Sequence, residues 1–309
     1  MRQYNLLRRD YVNSWKISNV ANSLAYFFPL EKELQKRLSG IGYDLFLPIK
    51  VKAIEDKDYN IKLSYLIDAL AQLPRAMDIA FDFIWRGYEK SLKDIYPNDN
   101  ITKQVQKETI AYGSDPDIVM IAKEFIEILP MQTWEFVVKS FKDSWNPSVN
   151  MNSQKGLIKR TFYIGNRSNE QVNLINMYNS FGNKYFTNYN AKEHRNAACF
   201  FKRYFKGQTM SIGSDSYRTN DLEKCIILFN CLLYEFRNTR THAVAISPFK
   251  SSKATISTFM HCHIVFLITY ACFLFSGLMR YGIKKADIID NIKMNIDSFK
   301  KFYGKAINK

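Results

Sequence analysis

The chain has 309 residues, of which 47% are apolar and 15% aromatic, enough to form the core of one large helical domain or two modest ones. Only 12 glycines and 8 prolines occur, which disfavours an all-β sandwich because that fold needs frequent turn residues. Residues 1–150 hold 20 basic and 20 acidic side chains, so the remaining 24 basic and 9 acidic residues give residues 151–309 the whole net charge of +15. We therefore predict an all-α helical bundle whose second half meets a polyanion, either a nucleic acid or an anionic membrane surface.

Helices are predicted along most of residues 1–150. Apolar side chains at steps of three and four predict an amphipathic helix over 59–73. Asp115-Pro116-Asp117 predicts another helix start, because proline is tolerated in a first turn and acidic groups favour its dipole. The other predicted features are a polar helix that begins at Pro29 and ends at Gly40 and Gly42, a boundary at Pro74 followed by a longer helix through Tyr88, and an interruption at Pro130 before a helix over 134–141.

A short polar segment over 146–153, containing Pro147, is the best candidate for a linker. The charge balance changes at the same place. We therefore predict a helical N-terminal region, residues 1–150, of unknown role (sensing, regulation or extension of a dimer) and a basic helical domain, residues 151–309. One continuous helical bundle gives the same signals, so this alternative stays open.

Helices are also predicted along residues 151–309. Asn220 and Glu223 have the spacing of a capping box, which predicts a helix start just before the apolar residues that lead to Phe236. The other predicted features are helices over 171–178, 192–205 and 284–305, a polar loop over 207–220, a connector over 243–253 and a long apolar helix over 254–279.

The apolar helix over 254–279 contains no Asp, Glu, Lys or Arg and is long enough to span a bilayer. Lysine or arginine residues lie on both sides of it, which gives no positive-inside asymmetry. Its densest apolar part, 264–275, has the length of a helix buried in a core or a dimer interface. We predict a buried helix and no membrane association, with membrane anchoring as the alternative.

Five cysteines all lie in the second half, and no apolar leader follows Met1. Reduced, buried thiols in a cytoplasmic protein are the simplest interpretation. His261-Cys262-His263 has metal-binding residue types, but neighbours on a helix point about 100° apart and do not converge on one ion. No metal and no cofactor are therefore expected.

One segment combines residues suited to phosphate chemistry: Arg237-Asn238-Thr239-Arg240-Thr241-His242, between two apolar helices. Asn238 and His242 are four residues apart and share a helix face, so the amide can orient the imidazole. Arg237 lies about 140° around the helix from His242, so one helix does not easily aim both at the same phosphate. A two-fold dimer solves this by bringing two segments to one cleft.

This segment resembles the signature of the HEPN superfamily, which is an Arg, a polar residue and then a His, with four to six residues between the Arg and the His, placed where one core helix meets the next. The similarity covers residues 170 to 300 and is specific only around the motif. Ala243 departs from the family, in which many members carry glycine after the histidine. The resemblance implies a HEPN-like bundle in the second half, a homodimer and ribonuclease activity as a toxin or anti-phage effector, with an antitoxin or a phage-derived trigger as a further partner.

The expected reaction is metal-independent cleavage of RNA by its own 2′-hydroxyl, giving a 2′,3′-cyclic phosphate and a 5′-hydroxyl. His242 supplies proton transfer near neutral pH, and Arg237 neutralises charge on the phosphorane oxygens. Asn238 completes the predicted catalytic set. Arg240 is a predicted second phosphate contact.

Two alternatives remain open. Arg237 and His242 can instead be ordinary cations at a helix C-terminus, in a non-catalytic, basic helical protein that binds RNA or another protein. The basic and aromatic segment 200–205 can stack on single-stranded RNA, with Lys202 and Arg203 on its phosphates, or form a helix with one core face and one solvated face.

Overall fold

Helices account for almost all of the regular structure, which confirms the predicted all-α class. The computed structural model describes Leu6, Asp10, Ser148 and residues 28–146, 156–162, 172–241 and 247–308. Within these residues the β-structure is one antiparallel hairpin, strands Met210–Ile212 and Asp215–Tyr217, in which Met210 pairs with Tyr217. It lies inside the predicted polar loop, and Gly213 supplies the positive φ of 61° at its turn.

The helices of residues 28–146 begin and end near the predicted boundaries. Asp115 Oδ1 accepts a hydrogen bond from the backbone N–H of Asp117 at 3.0 Å, which fixes the predicted start at Pro116. One helix was not predicted; it begins after Asn100, whose side chain caps the N–H of Lys103 at 3.1 Å. In chain order the helices are α1 (Pro29–Leu38), α2 (Lys57–Gln72), α3 (Met77–Ile95), α4 (Ile101–Gly113), α5 (Pro116–Ile128) and α6 (Met131–Ser144).

The second half adds further helices around a long central pair. The shorter ones are α7 (Gly156–Phe162), α8 (Val172–Tyr185) and α9 (Ala191–Phe205). Helix α10 is continuous through an α-helical start Asp221–Cys225, a π-helical segment Ile226–Leu232 and an α-helical end Leu233–Thr241. Helix α11 comprises Ile256–Phe273, a π-helical segment Leu274–Leu278 and a 3-10 turn Met279–Tyr281, and α12 is Lys285–Tyr303.

The capping box predicted at the start of α10 is present. Asn220 Oδ1 accepts from the N–H of Glu223 at 2.8 Å, and Glu223 Oε2 accepts from the N–H of Asn220 at 3.0 Å. Two backbone donors of the first turn are satisfied in this way, so the chain enters α10 at a defined residue. The helix then runs without a break to Thr241, the residue before His242.

Helix α11 is the centre of the core. It is long and apolar enough to cross a bilayer, but 94% of its most apolar window is buried inside the protein, as predicted for a core helix. Its close neighbour is α3, and two glycines allow the approach. A Cβ at Gly87 would lie 2.8 Å from Cε2 of Phe273, and one at Gly277 would lie 2.6 Å from Oγ of Ser91. Larger residues at either position would push α3 and α11 apart.

The buried side chains of both halves belong to one contiguous hydrophobic cluster that runs from Leu30 to Ile307. Helix α3 of the first half packs on α11 of the second. The change in charge near residue 150 therefore does not separate two hydrophobic cores. Most of the linker candidate lies outside the described residues; within it, the N–H of Ser148 donates to Asn146 Oδ1 at 3.0 Å.

The predicted buried thiols are confirmed for Cys225, Cys231, Cys262 and Cys272, while Cys199 is half-buried, and all five are free. The histidines of α11 point apart, as the helix geometry predicts. His261 Nδ1 lies 2.9 Å from Thr133 Oγ1 on α6, and His263 Nδ1 lies 3.1 Å from the Tyr303 hydroxyl on α12.

Candidate functional site

The last two turns of α10 carry the arginines of the predicted motif. Arg237 and Arg240 are three residues apart, so both project from neighbouring positions on the helix surface toward α3. They line a cleft of about 410 Å³, here called the Arg237 cleft. Its lining residues are Asp82, Trp85, Arg86 and Glu89 of α3 and Arg237, Arg240 and Thr241 of α10.

Arg240 is held by two carboxylates of α3. Its Nε and Nη2 donate to the two oxygens of Asp82 at 2.7 and 2.5 Å, and its Nη1 donates to Asp78 Oδ2 at 2.9 Å. Asp78 and Asp82 are four residues apart, so they share a face of α3 and both reach one guanidinium. The guanidinium forks onto Asp82 in the planar, bidentate geometry that suits a carboxylate.

This ion pair is partly removed from water. The side chain of Asp78 is 3% exposed and that of Arg240 is 18% exposed. Burial raises the pKa of Asp78 even though Arg240 counteracts the rise. Burial also disfavours the charged form of Arg240, but the two carboxylates outweigh it and raise the pKa of Arg240 further above its ordinary value. The predicted phosphate contact of Arg240 stays a prediction, and it would have to compete with both carboxylates.

Arg237 has a different environment. Its Nη1 donates to Asn238 Oδ1 at 3.2 Å, and its guanidinium lies 5.9 Å from the ring centroid of Tyr234. Among the described residues no carboxylate forms an ion pair with Arg237. This half-buried guanidinium therefore retains most of its donors for a ligand in the Arg237 cleft.

Polar side chains of α7 and α10 lie next to Arg237. Arg160 of α7 donates to Glu235 at 3.0 Å and lies 4.9 Å from the ring centroid of Tyr234. Burial raises the pKa of Glu235, and hydrogen bonds from Arg160 and Asn238 offset part of the rise. Asn238 therefore lies beside both Glu235 and Arg237, and its Oδ1 accepts one donor of the guanidinium.

The predicted interaction of Asn238 with His242 lies outside the described residues, as do His242 itself and Ala243. The described contacts of Asn238 are with Arg237 and Glu235. Because α10 is helical through Thr241, His242 follows directly on the chain from the end of the Arg237 cleft.

Lys202 and Arg203 lie near the other end of α10. Their neighbour Tyr204 donates to Glu223 at 3.0 Å, in the first turn of α10. At about 1.5 Å of rise per residue, the 14 residues from Glu223 to Arg237 place the two groups roughly 20 Å apart along that axis. Arg203 is exposed, whereas burial and the nearby charge of Lys206 lower the pKa of the half-buried Lys202.

The aromatic residues beside Lys202 and Arg203 are in the core. The rings of Phe200, Phe201, Tyr204 and Phe205 are at most 2% exposed. They do not present faces on which RNA bases stack, and the interpretation of α9 as a helix with one core face and one solvated face is confirmed.

Sequence reasoning missed the residues that give Arg240 carboxylate partners and leave Arg237 without one among the described residues. The spacing of Asp78 and Asp82 on an amphipathic helix was the one available signal. Nothing local indicates that they face Arg240, 158 residues or more along the chain. Likewise, nothing in the sequence indicated that Arg160 contacts Glu235.

Comparison with protein-family models, with curated proteins and with solved structures yields no match.

Proposed function

We propose that this protein is a metal-independent RNA endonuclease of the HEPN type, which acts as a homodimer. The observation that carries the proposal is the state of Arg237, a half-buried guanidinium in a cleft, oriented by Asn238 and paired with no carboxylate of the described residues. An arginine in this state suits the charge that develops on a phosphorane, because its donors are pre-positioned and not neutralised. The positive charge of residues 151–309 supports an RNA substrate.

The proposed reaction divides the proton transfers between two copies of His242. One imidazole takes the proton of the RNA 2′-hydroxyl while the 2′-oxygen forms a bond to phosphorus. The bond from phosphorus to the 5′-oxygen breaks, and the second histidine, as imidazolium, protonates that oxygen. Arg237 stabilises the non-bridging oxygens. The products are a 2′,3′-cyclic phosphate and a 5′-hydroxyl, and no water is consumed.

A cytoplasmic role in growth arrest, as a toxin or anti-phage effector restrained by an antitoxin or released by a phage-derived trigger, follows from the resemblance of the motif and is part of the proposal. Residues 1–150 would then sense or regulate. Since the buried side chains of both halves share one core, a signal received by α3 has a direct route to α10.

The second candidate is a non-catalytic, basic helical protein that binds RNA. The excess of charge in residues 151–309 favours it independently of the motif.

The test compares wild type, His242→Ala and Arg237→Ala on total RNA at stoichiometric protein concentration. His194→Ala is the matched control, since this histidine lies on α9 and contacts Tyr189 and the backbone of Glu135. We expect cleavage by wild type and His194→Ala, with cyclic phosphate ends, none by His242→Ala and strongly reduced cleavage by Arg237→Ala. Equal RNA integrity with all four proteins would exclude the nuclease, and RNA binding without cleavage would favour the second candidate.

A further inference from the structure

A second cleft, of about 560 Å³, lies between the ends of α3 and α11 and the middle of α4. It is separate from the Arg237 cleft and shares no lining residue with it. We call it the Glu108 cleft, and its lining includes Ile95, Glu108, Phe275, Ser276, Met279 and Arg280.

Glu108 is a buried carboxylate in the wall of this cleft. It is 7% exposed. Its Oε2 accepts from the Tyr96 hydroxyl at 2.9 Å, and its Oε1 accepts from Ser276 Oγ at 2.5 Å. A carboxylate has about four lone-pair sites, and these bonds fill two of them. Glu108 can therefore accept from a further donor that enters the cleft.

No basic side chain of the described residues forms an ion pair with Glu108. The adjacent Lys107 pairs with Asp99, and Asp94, a carboxylate of the same cleft, is already paired with Lys62 and Lys90. The Arg280 guanidinium is at the exposed rim, over the ring of Tyr281. A buried carboxylate without a counter-ion is unfavourable, so the cleft favours an incoming cation.

The neighbouring tyrosines act as hydrogen-bond donors beside Glu108. Burial, reinforced by the charge of Glu108, raises the pKa of Tyr96 and of Tyr112 above the ordinary value. Both phenols therefore stay protonated and act as donors. Tyr112 donates to the backbone oxygen of Cys272 at 3.2 Å and contacts Ser276 Oγ.

The helix geometry at this cleft is unusual. Phe275 and Ser276 belong to the π-helical segment of α11, and π-helical turns occur often at functional sites. The ring of Tyr112 also lies 5.1 Å from that of Phe229, in the π-helical segment of α10. Tyr112 thus contacts both widened helix segments, which links the Glu108 cleft to the helix that carries Arg237.

We propose that the Glu108 cleft binds a small organic cation with a primary ammonium group on a short aliphatic stem. The ammonium group donates to the free lone pairs of Glu108 and lies near the ring of Phe275, while the stem covers the half-exposed side chains of Ile95 and Met279. A hard metal ion fits less well, because it needs six or more oxygen ligands, whereas three of the seven lining residues are apolar and one is the cation Arg280. The proposal does not depend on nuclease activity.

Calorimetric titration of the full chain with butylammonium, putrescine and spermidine tests this proposal, with butanol and butyrate as uncharged and anionic counterparts. We expect saturable binding of the ammonium compounds alone. Glu108→Gln should weaken it at least about tenfold, since a charge-assisted bond is lost. Glu33→Gln, which removes an exposed carboxylate of α1, should leave it unchanged.

Arg280 provides the opposing control. Arg280→Gln removes the positive charge at the rim, so ammonium binding should be unchanged or stronger. Loss of binding in Arg280→Gln, binding of butyrate, or equal ammonium affinity of wild type and Glu108→Gln would overturn the proposal.

A second variant covers the case in which Glu108→Gln does not fold. Met279 is 37% exposed at the rim, so Met279→Trp should fill the mouth of the cleft without touching Glu108. Its melting temperature should be close to that of wild type and its ammonium binding should be lost. Unchanged binding in Met279→Trp would contradict the proposed location.

Discussion

Arginine and histidine side chains occupy two different settings in this protein. Arg240 is bound by two carboxylates of α3, and His261 and His263 of α11 are buried in the core, so all three side chains have partners inside the protein. At the end of α10, Arg237 has an amide partner and no described carboxylate. The two arginines are one helical turn apart. The facing helix, and not the motif itself, determines which of them is available for a ligand.

The largest expected effect concerns Arg240, the arginine that forms ion pairs. Arg240→Ala should lower the free energy of unfolding by about 3–5 kcal/mol, because it leaves Asp78 buried without its partner. Urea unfolding measures this difference. Arg237→Ala is the matched control and should change stability by less than about 0.5 kcal/mol. Equal losses in both variants would remove the contrast between the two arginines.

Arg237→Ala should act on catalysis instead. We expect RNA cleavage to fall by roughly 100-fold to 1,000-fold, equivalent to about 3–4 kcal/mol of transition-state stabilisation. Single-turnover rates on a short RNA measure it, with Arg75→Ala, an exposed arginine outside the cleft, as control. A rate within twofold of wild type would assign Arg237 a capping role at the helix end.

The buried histidines should make the fold sensitive to acid. Burial lowers the pKa of His261 to about 4 and that of His263 to about 3, below the ordinary 6.5. The unfolded chain binds more protons than the folded one below pH 6.5, so stability should fall from there toward pH 4, by a few kcal/mol in total. Urea unfolding between pH 7 and 4.5 measures the loss, and it should be smaller in His261→Gln. A flat profile would contradict this account of the two histidines.

The smallest expected effect concerns Lys202 and Arg203. If Arg203 contacts RNA phosphate, Arg203→Ala should weaken RNA binding a few-fold at every sequence and reduce the salt slope by about one. Lys202→Ala should do less, because the side chain of Lys202 is half-buried and that of Arg203 is exposed. Fluorescence anisotropy at several salt concentrations measures both. An unchanged slope in Arg203→Ala would remove α9 from the RNA-binding surface.

Much of the fold follows from local signals. The capping box of Asn220 and Glu223 and the cap of Asp115 before Pro116 were predictable, because their partners are at most three residues away. The unbroken apolar run likewise predicted the burial of α11.

The candidate site could be predicted only in part, because its pairings are tertiary. Asp82 meets Arg240 across 158 residues, and Glu108 meets Ser276 across 168. No local pattern specifies which carboxylate faces which partner. The motif therefore predicted the position of the two arginines, and the facing helix α3 determines which of them forms ion pairs.

Subunit mixing tests the central claim most directly, because the proposed reaction needs the His242 imidazoles of both protomers around one phosphate. Wild type and His242→Ala are unfolded together at several ratios, refolded and assayed for cyclic phosphate formation, and native mass spectrometry measures the fraction of mixed dimer. We predict that mixed dimers, which hold a single His242, are inactive, so that cleavage falls with the square of the wild-type fraction. Cleavage that falls only in proportion to the wild-type fraction would contradict the shared site.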